Sequence, residues 1–130
     1  MNRKEFIKNT SLGLAGALLV PEILAKNEII LGHNQKRYRI NTRWSQADVA
    51  RNPVNDCHEM VQDQKGRILL LTNDTRNNFL VYDKNGKLLN AWGTEYPGAH
   101  GLTLFNENGT DVLFICDNNR HQVIKTDIEG

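Results

Sequence analysis

Long hydrophobic runs and a large excess of one charge are both missing from this sequence. The apolar run near its start, Leu12–Val20, covers about nine residues, whereas a helix needs roughly 20 to cross a bilayer. Sixteen Lys and Arg face fifteen Asp and Glu, so the formal net charge is +1. The short apolar run predicts no stable membrane span. Because no long basic run is present either, the sequence also predicts no nucleic-acid partner.

Cysteine is scarce, and the familiar catalytic motifs are absent. Cys57 and Cys116 allow a single pairing, which an oxidising compartment would permit but their spacing does not require. Whether they pair stays open, and two buried free thiols are the expectation. The sequence has no nucleophile elbow, phosphate-binding loop, dinucleotide fingerprint or Cys-x-x-Cys pair, so function has to be sought in other patterns.

The first 25 residues differ in composition from the rest. Arg3, Lys4 and Lys8 precede the short apolar run, which is the layout of a secretory signal. Residues 2–8 are similar to a twin-arginine export signal with Lys4 in place of the second arginine, which leaves the export route open. We predict that residues 1–25 are an export signal and that the protein is periplasmic or secreted. The alternative is a short amphipathic helix that belongs to the fold.

An internal repeat occupies much of the remaining chain. Each unit has a His, a short strand, a polar turn ending in Gly, an apolar strand and an Asp. The matched positions, 42 to 43 residues apart, are His58 and His100, Gly66 and Gly109, and Asp74 and Asp117. A repeat of this length is typical of proteins built from stacked supersecondary units.

The residues within each unit favour strands. Lys65-Gly66, Asn85-Gly86 and Asn108-Gly109 supply the positive φ angles of tight hairpin turns. The apolar runs between them are about four to six residues long, which favours strands over helices. Four short strands per repeat are typical of a propeller blade. The predicted fold class is therefore all-β, a β-propeller with about two four-stranded blades after the signal segment.

The repeat also predicts a domain organisation. Residues 26–53 are interpreted as a linker and N-terminal closing strand, with residues 37–44 alternating like an exposed edge strand. Residues 54–98 form a first blade, and residues 99–130 form a truncated second blade. Since propellers have four to eight blades, we expect the remaining blades of the same chain to complete the ring. The alternative is a small unit that completes its ring by self-association.

Two motifs in the second unit resemble NHL-type repeats. They are His100-Gly101-Leu102 and the run from Asp117 to Val123. Ala99–Thr103 and His121–Asp127 are similar to a blade of the lyase domain of peptidylglycine α-amidating enzymes. The resemblance covers roughly residues 54–130.

The lyase resemblance implies a six-bladed propeller with zinc in its central channel, held by one His from each of three blades. His100 matches one ligand position, although Ala99 replaces the family's Pro. Arg76 lies in a loop comparable to that of the family's channel-mouth Arg, with different flanking residues. The family's other histidines and its catalytic Tyr would fall beyond Gly130.

The strongest candidate ligands are His58 and His100, which occupy equivalent positions at the starts of consecutive units. Both are expected near one mouth of the channel. Imidazole suits zinc and other transition metals, and three protein ligands plus water make a catalytic zinc site. The alternative is a structural role, with each His hydrogen-bonded to neighbouring backbone. Asp56 and Glu59 flank His58 and could orient it.

Other polar and aromatic residues have ordinary alternatives to a functional role. Asp74 and Asp117 are expected to cap turns, with calcium or substrate contact as the alternative. Arg76 and Arg120 lie in predicted top loops, where they contact a ligand or, alternatively, have a solvated or inter-blade role. The aromatic residues expected to pack within blades are Trp44, Phe79 and Trp92.

Two main functions follow as hypotheses. The first is an exported NHL-type propeller that binds a small molecule or peptide on its top face. The second is a zinc-dependent lyase that cleaves a C–N bond, as the resemblance to the amidating enzymes implies. A docking platform within a cell-surface complex is a third.

Overall fold

The structure is a computed structural model that describes residues 29–130, and this part of the chain is all-β. About half of the described residues lie in strands, and every regular element among them is a strand. None of them belongs to a helix with the length and apolar character that a membrane crossing requires. The described residues divide into two units, residues 29–39 and residues 40–130. The predicted export signal lies outside the described residues.

In the first unit the described residues form a β-hairpin. Strands β1 (Ile29–His33) and β2 (Lys36–Ile40) pair around a turn in which Asn34 has a φ of 55°. All residues of β2 are exposed. The strand ends four residues before the predicted end at Trp44, because the Trp44 backbone N–H donates to the Asn41 carbonyl oxygen and closes a turn.

The second unit contains two antiparallel sheets, and the first has four strands. Gly66 and Gly86 adopt φ angles of 76° and 84° in the turns between strands, so the turns predicted at these glycines are confirmed. The strands, in the order in which they pair, are β3 (Glu59–Gln62), β4 (Ile68–Leu71), β5 (Phe79–Tyr82) and β6 (Leu88–Trp92).

The second sheet has three strands among the described residues. Asn108 and Gly109, with φ angles of 52° and 91°, form the two-residue turn between its first two strands. Ala99 pairs with Asp117 while Gly101 pairs with Cys116, so the strand bulges at His100. The strands, in pairing order, are β7 (Ala99–Glu107), β8 (Thr110–Asp117) and β9 (Gln122–Asp127).

The hydrophobic core lies between the two sheets. Strand β7 packs beside β3 and β4, so the sheets meet through one face each. Alternate residues of the paired strands point into this core because side chains alternate along a strand. The most deeply buried core residues are Leu69, Leu71 and Phe79 of the first sheet and Leu113 and Ile115 of the second.

The segment before β3 packs against the first sheet. The Trp44 indole N–H donates to the Lys84 carbonyl oxygen at 3.1 Å, and its ring lies 5.2 Å from that of Tyr82. Phe79 stacks on Trp92 with ring centroids 4.1 Å apart. The packing roles predicted for Trp44, Phe79 and Trp92 are thus confirmed.

One face of the second sheet remains exposed. Phe105 and Val123 lie on this face with 54% and 68% of their surface accessible, and Cys116 lies there opposite Gly101. Both Cys57 and Cys116 are exposed and unpaired, so the prediction of buried thiols was wrong. It failed because strand alternation turns Cys116 away from the core. None of the sheets in residues 29–130 is closed, and the propeller stays a prediction.

Candidate functional site

The two repeat histidines meet at the starts of adjacent strands. The ring centroids of His58 and His100 are 4.0 Å apart, with an interplanar angle of 48°. His58 directly precedes β3, and His100 is the bulged residue of β7. Both residues are exposed. The structure therefore brings together the two residues that the repeat placed at equivalent positions.

The bulge accounts for the side-chain direction of His100. An extra residue in one strand breaks the alternation of side chains and redirects the bulged one, and bulges are frequent beside active sites. In the first sheet no bulge is needed, because His58 lies before the first paired residue of β3, Glu59. Two different backbone arrangements thus bring the imidazoles to one place.

Asp56 is held by amide side chains. Its carboxylate accepts hydrogen bonds from Asn55 Nδ2 at 3.2 Å and from Asn73 Nδ2 at 3.0 Å. It has a positive φ of 39°, which turns the chain just before His58. Within residues 29–130 His58 forms no hydrogen bond with Asp56 or Glu59, so the orienting role predicted for these two carboxylates is not found.

The thiol of Cys57 is not an activated nucleophile. Desolvation raises its pKa, a hydrogen bond with Thr72 lowers it, and the charge of Asp56 raises it, with a net increase. A raised pKa keeps the thiol protonated at neutral pH, and the thiolate is the reactive form.

The His58–His100 pair offers two nitrogen ligands to a metal ion. A catalytic zinc site uses three protein ligands and a structural site uses four. In the part of the chain that the structure describes, no three His, Cys, Asp or Glu side chains are grouped so that they could hold a metal. The pair supplies two imidazole side chains, and a third ligand would have to come from elsewhere.

Arg76 lies in the loop between β4 and β5 and is bound by Asp74 of the same loop. Its Nε and Nη2 atoms donate to the Asp74 carboxylate at 2.9 and 2.6 Å, and its backbone N–H donates to Asp74 Oδ1 at 3.0 Å. These bonds, with the side-chain ones first, lower the pKa of Asp74 to about 2. The turn-capping role predicted for Asp74 is confirmed, and the Arg76 guanidinium is already paired.

Asp117 caps the equivalent loop of the second sheet. Its side chain is buried and accepts hydrogen bonds from the backbone N–H groups of Arg120 at 2.9 Å and Gly98 at 3.2 Å. Arg120 Nη1 donates to the Glu95 carbonyl oxygen at 3.0 Å. The predicted cap is confirmed, and Arg120 ties its loop to the segment that leads into β7.

The sequence did not point to Asn78, which holds the entry to the second sheet. This fully buried side chain donates to the carbonyl oxygens of Thr72 at 3.0 Å and Tyr96 at 2.9 Å, and accepts from the Tyr96 N–H at 3.0 Å. The available signal was an Asn directly before an apolar strand. Buried polar side chains are normally hydrogen-bonded, and this one satisfies backbone groups of both neighbouring segments.

Comparison of this chain with known protein families, characterised proteins and solved structures finds no match. The resemblance to NHL repeats and to the lyase domain therefore depends on the motifs alone.

Proposed function

We propose that the chain is an exported repeat module of the β-propeller type that binds a small molecule or peptide where His58 and His100 meet. The observation that carries the proposal is the contact between these two imidazoles. Two antiparallel sheets derived from the repeat, with their first strands side by side, support it. Function is assigned from the site because propellers serve as both enzymes and scaffolds.

The paired imidazoles suit a polar ligand group. Each ring has two nitrogens that donate or accept hydrogen bonds, and both residues are exposed and thus accessible to a ligand. Arg76 and Arg120, the other candidates, are engaged by Asp74 and by the Glu95 backbone. The histidine pair is therefore the better binding point.

Small carboxylates test this proposal. Amide resonances of the full chain should shift at His58 and His100 when N-acetylglycine or benzoate is added. The shifts should be lost in His58→Ala and in His100→Ala. The matched control is His121→Asn, because His121 is exposed and has a φ of 54°, which Asn tolerates. Shifts that persist in both alanine variants, or that occur only elsewhere, would reject the site.

A zinc-dependent lyase is the second candidate, and the same histidine contact favours it. His58 and His100 would supply two ligands from consecutive repeats. A bound zinc ion would act as a Lewis acid toward the substrate. The substrate suggested by the resemblance is an α-hydroxyglycine, whose C–N cleavage gives an amide and glyoxylate.

Metal analysis distinguishes the two candidates. If the lyase proposal is right, dialysed protein should retain stoichiometric zinc, and His58→Ala and His100→Ala should lose it. His121→Asn should keep it. Wild-type protein without zinc would remove the lyase and leave binding of a ligand to the unmetallated histidines as the function.

Export is a separate part of the proposal. Residues 1–25 fused to alkaline phosphatase should give periplasmic activity in a bacterial host, since that reporter folds only after export. A fusion that carries residues 26–53 instead is the matched control and should be inactive. Equal activity of the two fusions would contradict a signal in the first 25 residues.

A further inference from the structure

The chain contains two Asn-Gly pairs, and both lie in turns between strands. Asn85-Gly86 connects β5 to β6, and Asn108-Gly109 connects β7 to β8. In such a pair the backbone nitrogen of the glycine can attack the side-chain amide of the asparagine, because glycine has no side chain to hinder the approach. The two pairs are alike in sequence, so any difference in their reactivity comes from the fold.

The turn at Asn108-Gly109 is open. Both residues are exposed, and a Cβ atom added to Gly109 would meet no atom within 4 Å. Within residues 29–130 the Asn108 side chain has no hydrogen-bond partner. The Gly109 N–H donates to Oδ1 of exposed Asn106 at 3.0 Å, a contact that a side-chain rotation can break. The attacking nitrogen and its target are therefore both free to move.

The turn at Asn85-Gly86 is clamped. Gly86 is buried, its N–H donates to the Asp83 carbonyl oxygen at 3.1 Å, and its carbonyl oxygen accepts from the Gln46 N–H at 2.9 Å. The Asn85 N–H donates to Asp83 Oδ1 at 2.8 Å, and its carbonyl oxygen accepts from Gln46 Nε2 at 3.0 Å. A Cβ atom at Gly86 would clash with the Trp44 carbonyl oxygen. Bending this backbone toward attack would break several of these contacts.

We propose that Asn108 is a site of spontaneous deamidation and isomerisation and that the fold protects Asn85 from the same reaction. The Gly109 nitrogen forms a bond to Asn108 Cγ, and the Cγ–Nδ2 bond breaks. The nitrogen that leaves takes the Gly109 amide proton and departs as ammonia, leaving a cyclic imide. Water then opens either of the two imide C–N bonds, which gives aspartate or isoaspartate. Water is the only co-reactant, and no electron transfer is involved.

The modification would act on a contact between the two sheets. Asp111 accepts hydrogen bonds from the Gln64 side chain at 2.7 Å and the Gln64 backbone N–H at 2.9 Å, and from Asn106 at 3.0 Å. These bonds, with that of Asn106 first, lower the pKa of Asp111. A new carboxylate at position 108 adds negative charge to the turn that carries Glu107 and Asp111. An isoaspartate also lengthens the backbone of that turn by one atom.

Ageing of the full chain in mildly alkaline native buffer tests the proposal. Peptide mapping by mass spectrometry, with isoaspartate detected by enzymatic methylation, should show Asn108 reacting about tenfold faster than Asn85. That ratio corresponds to a difference of ~1.4 kcal/mol in the activation barrier. In strong denaturant the two rates should become nearly equal. Equal rates in native buffer, or an intact Asn108 in chains that react when denatured, would overturn the proposal.

Two variants test separately the reaction at Asn108 and the protection of Asn85. Asn108→Ser should abolish the modification of that peptide and leave the slow rate at Asn85 unchanged. Gln46→Ala removes the side-chain bond to the clamped turn and should accelerate the reaction at Asn85 severalfold while Asn108 reacts as before. An unchanged Asn85 rate in Gln46→Ala would contradict the clamp as the source of protection.

Discussion

The two sheets of the second unit derive from one repeat, yet they are buried to different degrees. All four residues of β5 are buried in the first sheet. In the second sheet Leu113 and Ile115 are fully buried, while Phe105 and Val123 on the opposite face are exposed. The first sheet packs against the second sheet through one face, and on its other face Tyr82 packs against Trp44 of the segment before β3. The second sheet is covered on one face by described residues.

Apolar content alone does not determine burial in a repeat. Both sheets have enough Ile, Leu, Val and Phe for two apolar faces, but each face is buried only where a neighbour supplies a matching surface. Equivalent residues in the two sheets should therefore differ in their contribution to stability, in proportion to what covers them.

The largest difference is expected between two phenylalanines. Phe79→Ala removes a fully buried ring that stacks on Trp92 and should lower the free energy of unfolding by about 3–5 kcal/mol. Phe105→Ala, on the exposed face, should cost about 1 kcal/mol or less. Urea unfolding of the full chain measures both. Equal losses would mean that the two faces are equally buried in solution.

Two ion pairs should show a smaller difference. Asp63 in the first sheet is buried and binds Arg67 Nε at 2.6 Å, so Asp63→Asn should cost about 1.5–3 kcal/mol. Glu107 and Lys125 in the second sheet are 2.7 Å apart but half exposed, and Glu107→Gln should cost about 0–1 kcal/mol. Adding salt should reduce the second loss further. A larger loss for Glu107→Gln would reverse the comparison.

Two asparagines make the same contact in the two sheets. Asn77 Nδ2 donates to the Pro53 carbonyl oxygen at 2.6 Å and is buried, whereas Asn119 Nδ2 donates to the Pro97 carbonyl oxygen at 3.2 Å and is exposed. Asn77→Ala should cost about 1–2 kcal/mol, and Asn119→Ala about 0.5 kcal/mol. The shift in thermal midpoint of each variant checks the ranking.

The smallest effect concerns acid sensitivity in the loop after β4. The folded pKa of Asp74, about 2, lies below the ordinary value of roughly 3.9. The stabilisation from its pairing with Arg76 is thus present above the ordinary value and lost as pH falls through about 2. An NMR titration of the carboxyl carbon should find this midpoint, and Arg76→Ala should raise it toward the ordinary value. Arg120→Ala, the matched change in the second sheet, should leave it unchanged.

The turns and the all-β class could be predicted because they depend on local chemistry. Gly66, Gly86 and Gly109 all adopt positive φ angles where their dipeptides required it. The approach of His58 to His100 is in keeping with their equivalence in the repeat. The turns need only the local sequence, whereas the contact between the two histidines also depends on the bulge at His100 and on the packing of the two sheets.

Other features depend on tertiary contacts and could not be predicted. The sequence shows one extra residue between His100 and Gly109, compared with His58 and Gly66. It does not show whether that residue lengthens the turn or forms a bulge in the strand. The structure has a two-residue turn and a bulge at His100. Cys116 is exposed because its side chain lies on the face of β8 that points away from the core. The role of Asn78 depends on Tyr96, 18 residues away in the chain.

The surroundings of the two tryptophans give the chain two optical signals. Trp92 lies against Phe79, and its buried indole N–H has no hydrogen-bond partner in residues 29–130. Trp44 instead donates its N–H to Lys84. An indole in apolar surroundings emits at shorter wavelength than a hydrogen-bonded one. In Trp92→Phe the remaining Trp44 would therefore report whether the segment before β3 leaves the first sheet. In Trp44→Phe the remaining Trp92 would report whether the two sheets separate.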